Sequence, residues 1–496
     1  MTIGQIIAKV KENNENADTA ILELAFDFAD KAHLNQKRKN GERYIEHSLH
    51  TAFILAQMRA DINTIAAGLL HDVPEDTEYT LKDIEKDFGK EIAMLVEGIT
   101  KLSKIKYRGV ERYLESLRKM FIAMANDLRV ILIKFADRLH NLRTLEALPK
   151  EKQERIARET MEIYAPIAGL LGIWRLKWQM EDICFKFLYP EEYKKLEYIY
   201  EVEKKVERNQ YIQKIKNLLG KELIAVGIEP LIEGRFKHLF SIYKKMQIKD
   251  RKFNEITDVF ALRVIVNTVE DCYKTLGVIH SLWKPKKDRF KDYIALPKPN
   301  GYQSLHTTVF GPGGKLTEFQ IRTHKMNEEA LYGISAHWYY KQKEGGGDEE
   351  QSSQPAWVKE ILEIQRNAVT SHEFVKDVKF NIFKNRIFVF TPKGDVYDLP
   401  EGATPVDFAY EVHTDIGNKC TGALVNDRIA PLDTELRNGD LVEIIIDKNR
   451  KSPNADWIKF VKTSKARGRI KQFIKTGRFE QLKHLKKYIP GMKSKN

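Results

Sequence analysis

The amino-acid sequence predicts a multidomain protein with an all-α domain first, a mixed α/β domain second and a small β-rich module last. Up to about residue 195, apolar residues recur at helical spacing in segments such as IEKDFGKEIAMLVEGITKL, and strand-like alternation is scarce. From residue 223, β-branched runs such as DVFALRVIV alternate with helical patterns. Near residue 376 a β-rich stretch begins that ends at about 447. About three domains also suit the length of the chain.

Composition and charge narrow the classes of protein. The chain has 83 Lys and Arg against 70 Asp and Glu, a formal net charge of +13, so we expect anionic partners. By charge alone, nucleotides, RNA and an acidic membrane all qualify. No apolar run reaches the ~18 residues of a membrane span, and the N-terminus lacks a signal-peptide pattern, so we expect a cytoplasmic protein. Three widely spaced cysteines exclude a disulfide framework and an all-cysteine zinc site.

The first candidate site is the segment TIAAGLLHDVPED, which ends an apolar helical run with four protonatable groups. Buried charge is costly unless it is paired or bound to a metal. The neutral imidazole of His71 and the carboxylate of Asp72 suit Mn, Fe or Zn. Pro74 predicts a kink or an end of the helix, which would place Glu75 and Asp76 in a loop beside the metal. Helix-end charges on a solvated surface are the alternative.

Two further segments strengthen the metal interpretation. His47 lies in GERYIEHSLHTAFILA, and Asp137 ends an apolar run in ILIKFADRLHNLRTL. Together with the His-Asp pair they resemble the HD phosphohydrolase superfamily. The resemblance implies a metal-dependent attack of water on phosphorus, with Glu75 and Asp76 orienting the water or taking its proton. The metal ligands it implies are His47, His71, Asp72 and Asp137.

Polar residues around these segments leave two interpretations open. Arg38 lies in the basic, glycine-containing loop HLNQKRKNGERYIEH, which could hold a phosphate or stack on a base, or could be an ordinary solvated loop. Asn141, one helical turn beyond Asp137, points to the same chemistry. The charged segment 191–220 predicts an exposed or domain-linking helix without chemistry of its own.

The second domain contains a run of cations and a possible metal ligand. A strand-like segment opens it at LIAVGIEP. Arg235, Lys237 and Lys245 follow on or beside a helix and could form a cationic path for a polyphosphate. Asp258 stands at the start of DVFALRVIV, a common place to hold Mg through phosphate oxygens, although a lone Asp there is more often a turn residue.

The most distinctive stretch of this domain is RFKDYIALPKPNGYQSLHTTVFGP, residues 289–312. It interleaves basic residues with tyrosines, and Tyr302 beside Gly301 is suited to stacking on a base. In the strand LTEFQIR that follows, Glu318, Gln320 and Arg322 share one face. A half-exposed sheet explains that alternation but does not explain the loop.

These segments, with IEGRFKHLFSIYKKM and YGISAHWYYK, resemble the synthetase domain of the RelA/SpoT homologue family. With the HD part, the resemblance covers nearly the whole chain in one order. It implies a bifunctional enzyme of the stringent response. One domain, of nucleotidyltransferase-like mixed α/β fold, transfers pyrophosphate from ATP to the ribose 3′-hydroxyl of GDP or GTP to make (p)ppGpp. The HD domain hydrolyses (p)ppGpp. No membrane partner is expected.

The resemblance also implies roles for individual residues. Asp258 and Glu318 would hold Mg²⁺, with Glu318 as base for the 3′-hydroxyl, and the hydrolase would use Mn²⁺. The sequence RFKD resembles the basic loop of bifunctional members. The nucleotide-binding positions implied are Arg38 and Asn141 in the hydrolase, Arg235 and Arg263 around adenine, Lys237 and Lys245 at the ATP phosphates, Tyr302 on guanine, Asn300 and His306 at the acceptor, and Lys291.

The rest of the chain resembles the start of the family's C-terminal region. We expect a hydrolase domain at 1–195, a linking helix region at 196–222, a synthetase domain at 223–341 and a linker with a helix at 342–375. A TGS domain of β-grasp type at 376–447 would contact deacylated tRNA on the ribosome through His413, which could equally be a helix-end histidine. A basic helical region would start at 448–496. The family's later regulatory modules are missing, so we expect a shortened or naturally short chain.

Two alternatives to the hypothesis of a bifunctional enzyme remain open from the sequence. In the first, only one of the two catalytic halves is active. In the second, the chain acts mainly as a tRNA- or ribosome-binding regulator, an idea supported by the TGS-like module and the basic tail.

Overall fold

A computed structural model describes residues 1–103, 118–123, 126–203, 205–235, 238–249, 260–287, 289–298, 301–333, 364–365, 370, 374, 386–437, 439–450 and 452–474. The chain forms two compact units, one of Met1–Ile105 with Asn126–Ser353 and one of Lys106–Ala125 with Gln354–Asn496. Three predicted site residues lie outside the described residues, namely Lys237, Asp258 and Asn300, as does nearly all of the predicted linker at 342–375.

The described N-terminal part of the first unit is helical, as predicted. Its helices are α1 (Ile3–Asn13), α2 (Ala20–Ala32), α3 (Ile45–Gln57), α4 (Ile62–Leu70), α5 (Val73–Asp76), α6 (Leu81–Ser103), α7 (Leu128–Arg143), α8 (Lys150–Glu159), α9 (Ala165–Leu170), α10 (Trp174–Leu188) and α11 (Pro190–Glu197). From Thr64 onward α4 is buried on every side, which explains its nearly continuous apolar sequence. Helix α3 packs closely against α4 at Gly68. A Cβ atom at that position would lie only 2.5 Å from a methyl carbon of Leu55, so the close approach depends on glycine.

The ends of these helices follow local sequence signals. The side chain of Asp61 accepts a hydrogen bond from the Thr64 amide and caps α4, and Asp127 does the same for α7 through Arg129. Pro74 lies in the first turn of α5, where a proline costs little. Helix α4 therefore ends before His71, as the proline predicted. Glu75 and Asp76 then lie in a one-turn helix and not in the predicted loop.

Helix α12 (Lys205–Ala225) corrects two expectations. It extends through the predicted strand-like segment at 223, and the first strand begins only at Leu231. One face of α12 also belongs to the core under the sheet, since Ile215, Leu219 and Leu223 are fully buried there. The interpretation of residues 191–220 as an exposed or linking helix is therefore wrong for that face. Charged residues are spread along the whole segment, and they masked its apolar stripe.

A five-stranded sheet forms the second half of this unit. Its strands are β1 (Leu231–Gly234), β2 (Phe260–Val266), β3 (Lys291–Asp292), β4 (Leu305–Phe310) and β5 (Leu316–Thr323), in the order β1-β2-β5-β4-β3. Only β2 and β5 are parallel, which makes the sheet mixed. Helices α12 and α14 (Val269–Leu282) cover one face with apolar side chains. Helices α13 (Leu239–Lys249) and α15 (His324–Tyr332) complete this part.

Helix α10 joins the helical half of this unit to the sheet half. The Asp182 carboxylate accepts hydrogen bonds from the Phe240 amide and from Nδ1 of His238. The ring of Trp178 stacks on His238, with centroids 4.5 Å apart. A separate ion pair of 3.0 Å connects Arg59, just beyond α3, with Glu328 on α15. Polar contacts thus tie the two halves at two places.

The second unit contains a small α/β module. Its elements are β6 (Arg386–Phe390), β7 (Val396–Pro400), α16 (Pro405–Val412), α17 (Thr414–Lys419), β8 (Cys420–Val425), β9 (Arg428–Ala430) and β10 (Val442–Ile446). The strands pair as β6-β7 and β10-β8-β9, and the Phe390 amide donates to the Asp440 carbonyl between the two sheets. Strand β10 coincides with the NGDLVEII segment predicted as the last strand.

The basic segment after β10 packs on this module. A 3₁₀ turn at Ala455–Lys459 and a helix at 464–474 bury Trp457, Val461, Ala466 and Ile470 against α16. The buried carboxylate of Asp407 accepts hydrogen bonds from the amides of Lys462 and Thr463 and from the Thr463 hydroxyl. The same carboxylate bonds Thr404 in the capping box of α16.

The predicted fold class is confirmed: a helical domain, a mixed α/β domain and a small β-rich domain follow each other along the chain. Among the described residues, we find no helix whose length and apolar character would let it cross a membrane.

We expect Asp407→Ala to loosen the segment after Val461. The change leaves buried amides without an acceptor, which costs about 2 kcal/mol and makes local amide exchange roughly 30-fold faster. Hydrogen exchange of the full chain, followed by mass spectrometry over residues 455–470, measures this effect. Asp415→Ala, at an exposed carboxylate of the same unit, is the matched control. Equal exchange in the two variants would contradict the assignment of Asp407 as the anchor.

Candidate functional sites

The helical half holds a buried cluster of histidines and carboxylates. Helix α3 supplies His47, the end of α4 supplies His71, and α7 supplies Asp137. One ligand atom from each lies within 4.8 Å of the others. Asp72 stands beside this group, with its Oδ1 3.2 Å from Nε2 of His71 and its Oδ2 3.5 Å from Nε2 of His47. The structure therefore brings together all four predicted metal ligands.

Hydrogen bonding fixes the direction in which His71 presents its lone pair. Its Nδ1 lies 2.9 Å from the Gly68 carbonyl oxygen, which can only accept, so Nδ1 carries the hydrogen. Nε2 is then unprotonated in the neutral ring. It is buried without a hydrogen-bond partner and faces the Asp72 carboxylate. A lone pair facing a carboxylate in a buried pocket is the arrangement a cation stabilises.

Asp137 is held from both sides. Its Oδ2 accepts a hydrogen bond of 2.8 Å from the Lys134 ammonium, and its Oδ1 accepts one from the Asn141 amide. Burial opposes the charged form, but the ammonium of Lys134 together with the imidazoles of His47 and His71 outweighs it and keeps the pKa of Asp137 well below its ordinary value. The carboxylate is therefore ionised and oriented, with Oδ1 3.3 Å from Nε2 of His47.

Tyr44 connects Asp72 with the predicted catalytic acid Asp76. Its hydroxyl lies 2.6 Å from Oδ2 of Asp76 and 3.1 Å from Oδ2 of Asp72. Burial, and next the charge of Asp72, raise the pKa of Tyr44 above its ordinary value, so the phenol keeps the proton it donates. Glu75 lies exposed on the same helical turn as Asp76.

Arg38, in the basic loop before α3, contacts residues beside the proposed ligands. Its NH2 donates to Oδ1 of Asn141, and its NH1 lies 3.3 Å from Nδ1 of His140. Burial, and next the neighbouring His47, lower the pKa of His140 to about 2. The two predicted nucleotide-binding residues of this half, Arg38 and Asn141, are therefore in direct contact beside the metal ligands.

The donor set fits a divalent cation. Two imidazoles and two carboxylates are typical ligands of Mn, Fe or Zn, and the outer contacts of Gly68, Lys134 and Asn141 orient two of these ligands, His71 and Asp137. The buried lone pair on His71 gives independent support, because nothing else in the described structure satisfies it. These residues can hold a metal close to the exposed acids of α5.

The sheet half holds a second polar cluster on the face not covered by α12 and α14. Parallel pairing places Arg263 of β2 opposite Gln320 of β5, and antiparallel pairing places His306 of β4 opposite the same residue. Glu318 and Arg322 lie two positions to either side of Gln320 and share its face. Arg235, just after β1, lies with NH1 3.7 Å from Oε1 of Glu318.

Tyr302 lies above this face in the loop that precedes β4. Its hydroxyl is 2.8 Å from Nε2 of His306, and the Lys298 ammonium lies 5.2 Å from its ring centroid. Gly301, with φ of 76°, makes the turn in which its amide donates to the Lys298 carbonyl. Burial, and then the charge of Lys298, lower the pKa of His306 to about 3, so the imidazole is neutral at physiological pH.

Positive charge exceeds negative charge in this second cluster. The Nε atoms of Arg263 and Arg322 are buried without a hydrogen-bond partner. Burial, and next the charge of Arg263, lower the pKa of Arg322 to about 9. Burial, and next the charge of Lys291, lower the pKa of Lys298. Crowded cations with unsatisfied donors indicate a site for an anionic ligand.

The structure does not bring every predicted residue into these clusters. Lys245 lies on α13, the helix that follows β1. His413 lies in the second unit, where it ends α16 and its Nδ1 accepts a hydrogen bond from the Asp415 amide. His413 is thus a helix-end histidine, the alternative the sequence left open for its structural role, and its side chain is 66% exposed.

Sequence reasoning missed several residues that the structure places in the clusters. Lys134 and His140 lie three residues before and after Asp137 on α7, so helical spacing alone could have indicated them. Tyr44 precedes His47 by three residues in the same way. No sequence pattern indicated Trp178, because its contact with the sheet half depends on how α10 packs. The guanidinium of Arg235 lies 5.5 Å from the centroid of the Trp178 ring.

Comparisons with known proteins match three separate stretches of the chain. Residues 25–174 match the model of the HD domain, residues 234–345 match the region found in RelA / SpoT proteins, and residues 387–446 match the TGS domain. The first match spans all four predicted metal ligands. The second spans the polar face of the sheet.

Three similar proteins cover nearly all of this chain. A GTP pyrophosphokinase of Streptomyces coelicolor is 45% identical over 95% of this chain and 58% of its own length. A probable guanosine-3′,5′-bis(diphosphate) 3′-pyrophosphohydrolase of Synechocystis sp. is 47% identical over 95% of this chain and 62% of its own length. The bifunctional (p)ppGpp synthase/hydrolase SpoT of Escherichia coli K12 is 48% identical over 92% and 64%. This chain spans 58% to 64% of these relatives.

We expect a divalent metal ion to stabilise the helical half through His71. After treatment with a chelator, adding metal at a hundred times its Kd should raise the free energy of unfolding by about 2.7 kcal/mol. His71→Asn should lose this gain, because an asparagine amide can still donate to the Gly68 carbonyl but has no atom in the place of Nε2. Thermal unfolding with and without metal measures the effect, with His50→Asn as the matched control. A normal gain in His71→Asn would contradict its role as a ligand.

Proposed function

Because the chain belongs to the RelA/SpoT homologue family, we propose that it is a bifunctional enzyme of the stringent response. It transfers pyrophosphate from ATP to the 3′-hydroxyl of GDP or GTP, and it hydrolyses the resulting (p)ppGpp to GDP or GTP and pyrophosphate. The observation that carries this proposal is the presence of two chemically different sites in one compact unit. One is a buried His/Asp cluster suited to a metal, and the other is a cationic sheet face with a carboxylate.

In the hydrolase site, His47, His71, Asp72 and Asp137 would hold the metal. When bound, the metal supplies an activated water at neutral pH and neutralises charge on the phosphate oxygens. Asp76 is the better placed of the two acids to orient the water or take its proton. The Tyr44 hydroxyl lies 2.6 Å from Oδ2 of Asp76 and holds this carboxylate beside Asp72. Glu75, on the same turn, assists from the solvent side.

We assign Mn²⁺ to the hydrolase site and Mg²⁺ to the synthetase site. Imidazole ligands mixed with carboxylates suit a borderline cation such as Mn²⁺, whereas Mg²⁺ prefers a few carboxylates together with the phosphates of its substrate. Glu318 is a carboxylate on the synthetase face, and Asp258, the proposed second Mg²⁺ ligand, lies outside the described residues.

In the synthetase site, Glu318 takes the proton from the ribose 3′-hydroxyl. The 3′-oxygen then attacks the β-phosphorus of ATP, the bond from that phosphorus to the α,β-bridging oxygen breaks, and AMP leaves. Arg235 and Arg263 flank the adenine, while Lys237 and Lys245 neutralise the ATP phosphates. The excess of cations around Glu318 supports this assignment, since phosphoryl-type transfer depends on positioned positive charge.

Guanine recognition is assigned to Tyr302. The ring carries a lysine on one side and is fixed by the hydrogen bond of its hydroxyl to the neutral His306. A fixed aromatic face beside a cationic pocket favours stacking with a base. His306 would thereby help to position the acceptor nucleotide, with Asn300 and Lys291 from the same loop region.

We propose a binding partner for the TGS module of the second unit. We assign to it contact with the CCA end of deacylated tRNA on the ribosome, through the exposed side chain of His413. The match to the TGS domain at residues 387–446 supports this assignment. It predicts that His413→Ala weakens binding of deacylated tRNA in a filter-binding measurement, while Asp415→Ala does so less. Equal binding by wild type and His413→Ala would remove His413 from the interface.

Loss of one metal ligand should separate the two activities. Asp72→Ala is expected to abolish ppGpp hydrolysis and leave synthesis within about twofold, because only one site loses a ligand and surface changes away from it have small effects. Glu318→Ala should do the reverse, since it removes the proposed base. Nucleotides resolved after incubation with ATP plus GDP, or with ppGpp, give both rates. Each variant is the folding control for the other, and parallel loss of both activities in either one would contradict two independent sites.

The same two variants test the regulator as an alternative function. A chain that acts mainly by binding tRNA or the ribosome would keep its biological output when Asp72 and Glu318 are both replaced by Ala. Loss of the output with retained tRNA binding would exclude that function and favour catalysis.

Changes at Tyr302 should separate stacking from hydrogen bonding. Tyr302→Ala removes the aromatic face, which is worth about 1–3 kcal/mol, so KM for GDP should rise by roughly 5- to 150-fold with KM for ATP unchanged. Tyr302→Phe keeps the face and loses only the bond to His306, so its effect should stay below about tenfold. Steady-state kinetics of synthesis measure both, with the exposed Tyr198→Ala as control. A larger effect of Phe than of Ala would contradict stacking.

A further inference from the structure

His140 is a buried histidine that contacts a metal ligand without reaching the metal pocket itself. It lies on α7, three residues after Asp137, and its side chain points to α3. Its Nδ1 is 2.7 Å from Nδ1 of His47. Both residues are less than 5% exposed, so water does not mediate or replace this contact. One of the two nitrogen atoms must therefore donate to the other.

Arg38 determines which nitrogen donates. Its NH1 lies 3.3 Å from the same Nδ1 of His140. A guanidinium has hydrogen-bond donors and no acceptor, so Nδ1 of His140 must offer its lone pair. The hydrogen between the two imidazoles then belongs to Nδ1 of His47. It follows that a neutral His47 has its lone pair on Nε2, the atom that lies 3.3 Å from Asp137 and 3.5 Å from Asp72.

A second branch connects the same arginine with the opposite side of the pocket. NH2 of Arg38 donates to Oδ1 of Asn141, and Nδ2 of Asn141 donates to Oδ1 of Asp137. Arg38 is thus joined to His47 through His140 and to Asp137 through Asn141. The lone pair on Nδ1 of His140 is shared by two donors, NH1 of Arg38 and Nδ1 of His47.

We propose that His140 is a positioning residue for His47. By accepting the Nδ1 hydrogen it holds His47 in the tautomer and orientation in which Nε2 can bind the metal. Metal-binding histidines commonly donate the N–H of their other ring nitrogen to a carboxylate or carbonyl; here the imidazole of His140 accepts it. The inference rests on the proposed metal site of the hydrolase and adds to it a residue through which Arg38, at the nucleotide side, contacts the ligand set.

The alternative role of His140 is packing alone. Its ring is stacked on His50 with centroids 4.7 Å apart and planes 13° apart. His140→Phe keeps a flat ring for this stack but has no acceptor. His140→Asn loses the ring but can place Oδ1 where Nδ1 was. His50→Phe changes the other ring of the stack and serves as the matched control.

The test is the affinity of each full-length variant for Mn²⁺ alone, measured by electron paramagnetic resonance of the free ion. His140→Phe should bind Mn²⁺ about 10- to 100-fold more weakly than wild type, whereas His140→Asn and His50→Phe should stay within about threefold. Wild-type affinity in His140→Phe would overturn the proposal, and so would equal weakening in His140→Asn. If phenylalanine disturbs the fold, as judged by circular dichroism and by loss of nucleotide synthesis, His140→Leu takes its place in the same comparison.

Hydrolysis of ppGpp, measured in parallel, separates this inference from the proposed function. Suppose that His140→Phe weakens Mn²⁺ binding but the wild-type chain does not hydrolyse ppGpp. This result would support the role of His140 and overturn the hydrolase assignment. A wild-type chain that hydrolyses ppGpp but whose Mn²⁺ affinity is unaffected by His140→Phe would do the opposite.

Discussion

The helical half depends on one electrostatic constraint, the convergence of electron pairs in a largely buried cluster of side chains. Nε2 of His71 and of His47 face the carboxylates of Asp72 and Asp137 at 3.2 to 3.5 Å. Between neutral imidazoles and carboxylates, without a cation, these contacts repel, and burial strengthens the repulsion. Apolar packing of α3, α4 and α7 holds the ligands together despite this cost, which is why α4 is buried along nearly its whole length. The packing energy of the domain is thus used to prepare a metal site.

The sheet half has the opposite imbalance. The Nε atoms of Arg263 and Arg322 are buried and unsatisfied, and Arg235 adds a third guanidinium nearby. Such a cluster is most stable when an anion fills it. One site therefore requires a cation and the other an anion, and the substrates proposed for them supply what each lacks. The two sites differ in chemistry because one gathers histidines and carboxylates, whereas the other gathers guanidinium groups.

Much of this could be predicted from the sequence, because the relevant signals are local. The His-Asp pair after an apolar helix and the acids beyond Pro74 can be identified from periodicity and residue chemistry. Contacts that depend on packing between distant segments cannot. The acceptor role of His140 follows only when α3 and the Arg38 loop are in place, and the apolar stripe of α12 is hidden by its charges until the sheet lies against it.

Helix α10 connects the helical half, with its metal-binding cluster, to the sheet half, with its cationic cluster. Its Trp178 lies against both Arg235 and His238, and its Asp182 binds His238 and the Phe240 amide at the start of α13. The guanidinium of Arg235 therefore has a ring from the helical half near one side and Glu318 near another. A shift of α10 changes the surroundings of Arg235 directly, without an intermediate element. Because α10 also packs on α7, which carries Asp137, the helix that borders the anion site rests on the helix that supplies a metal ligand.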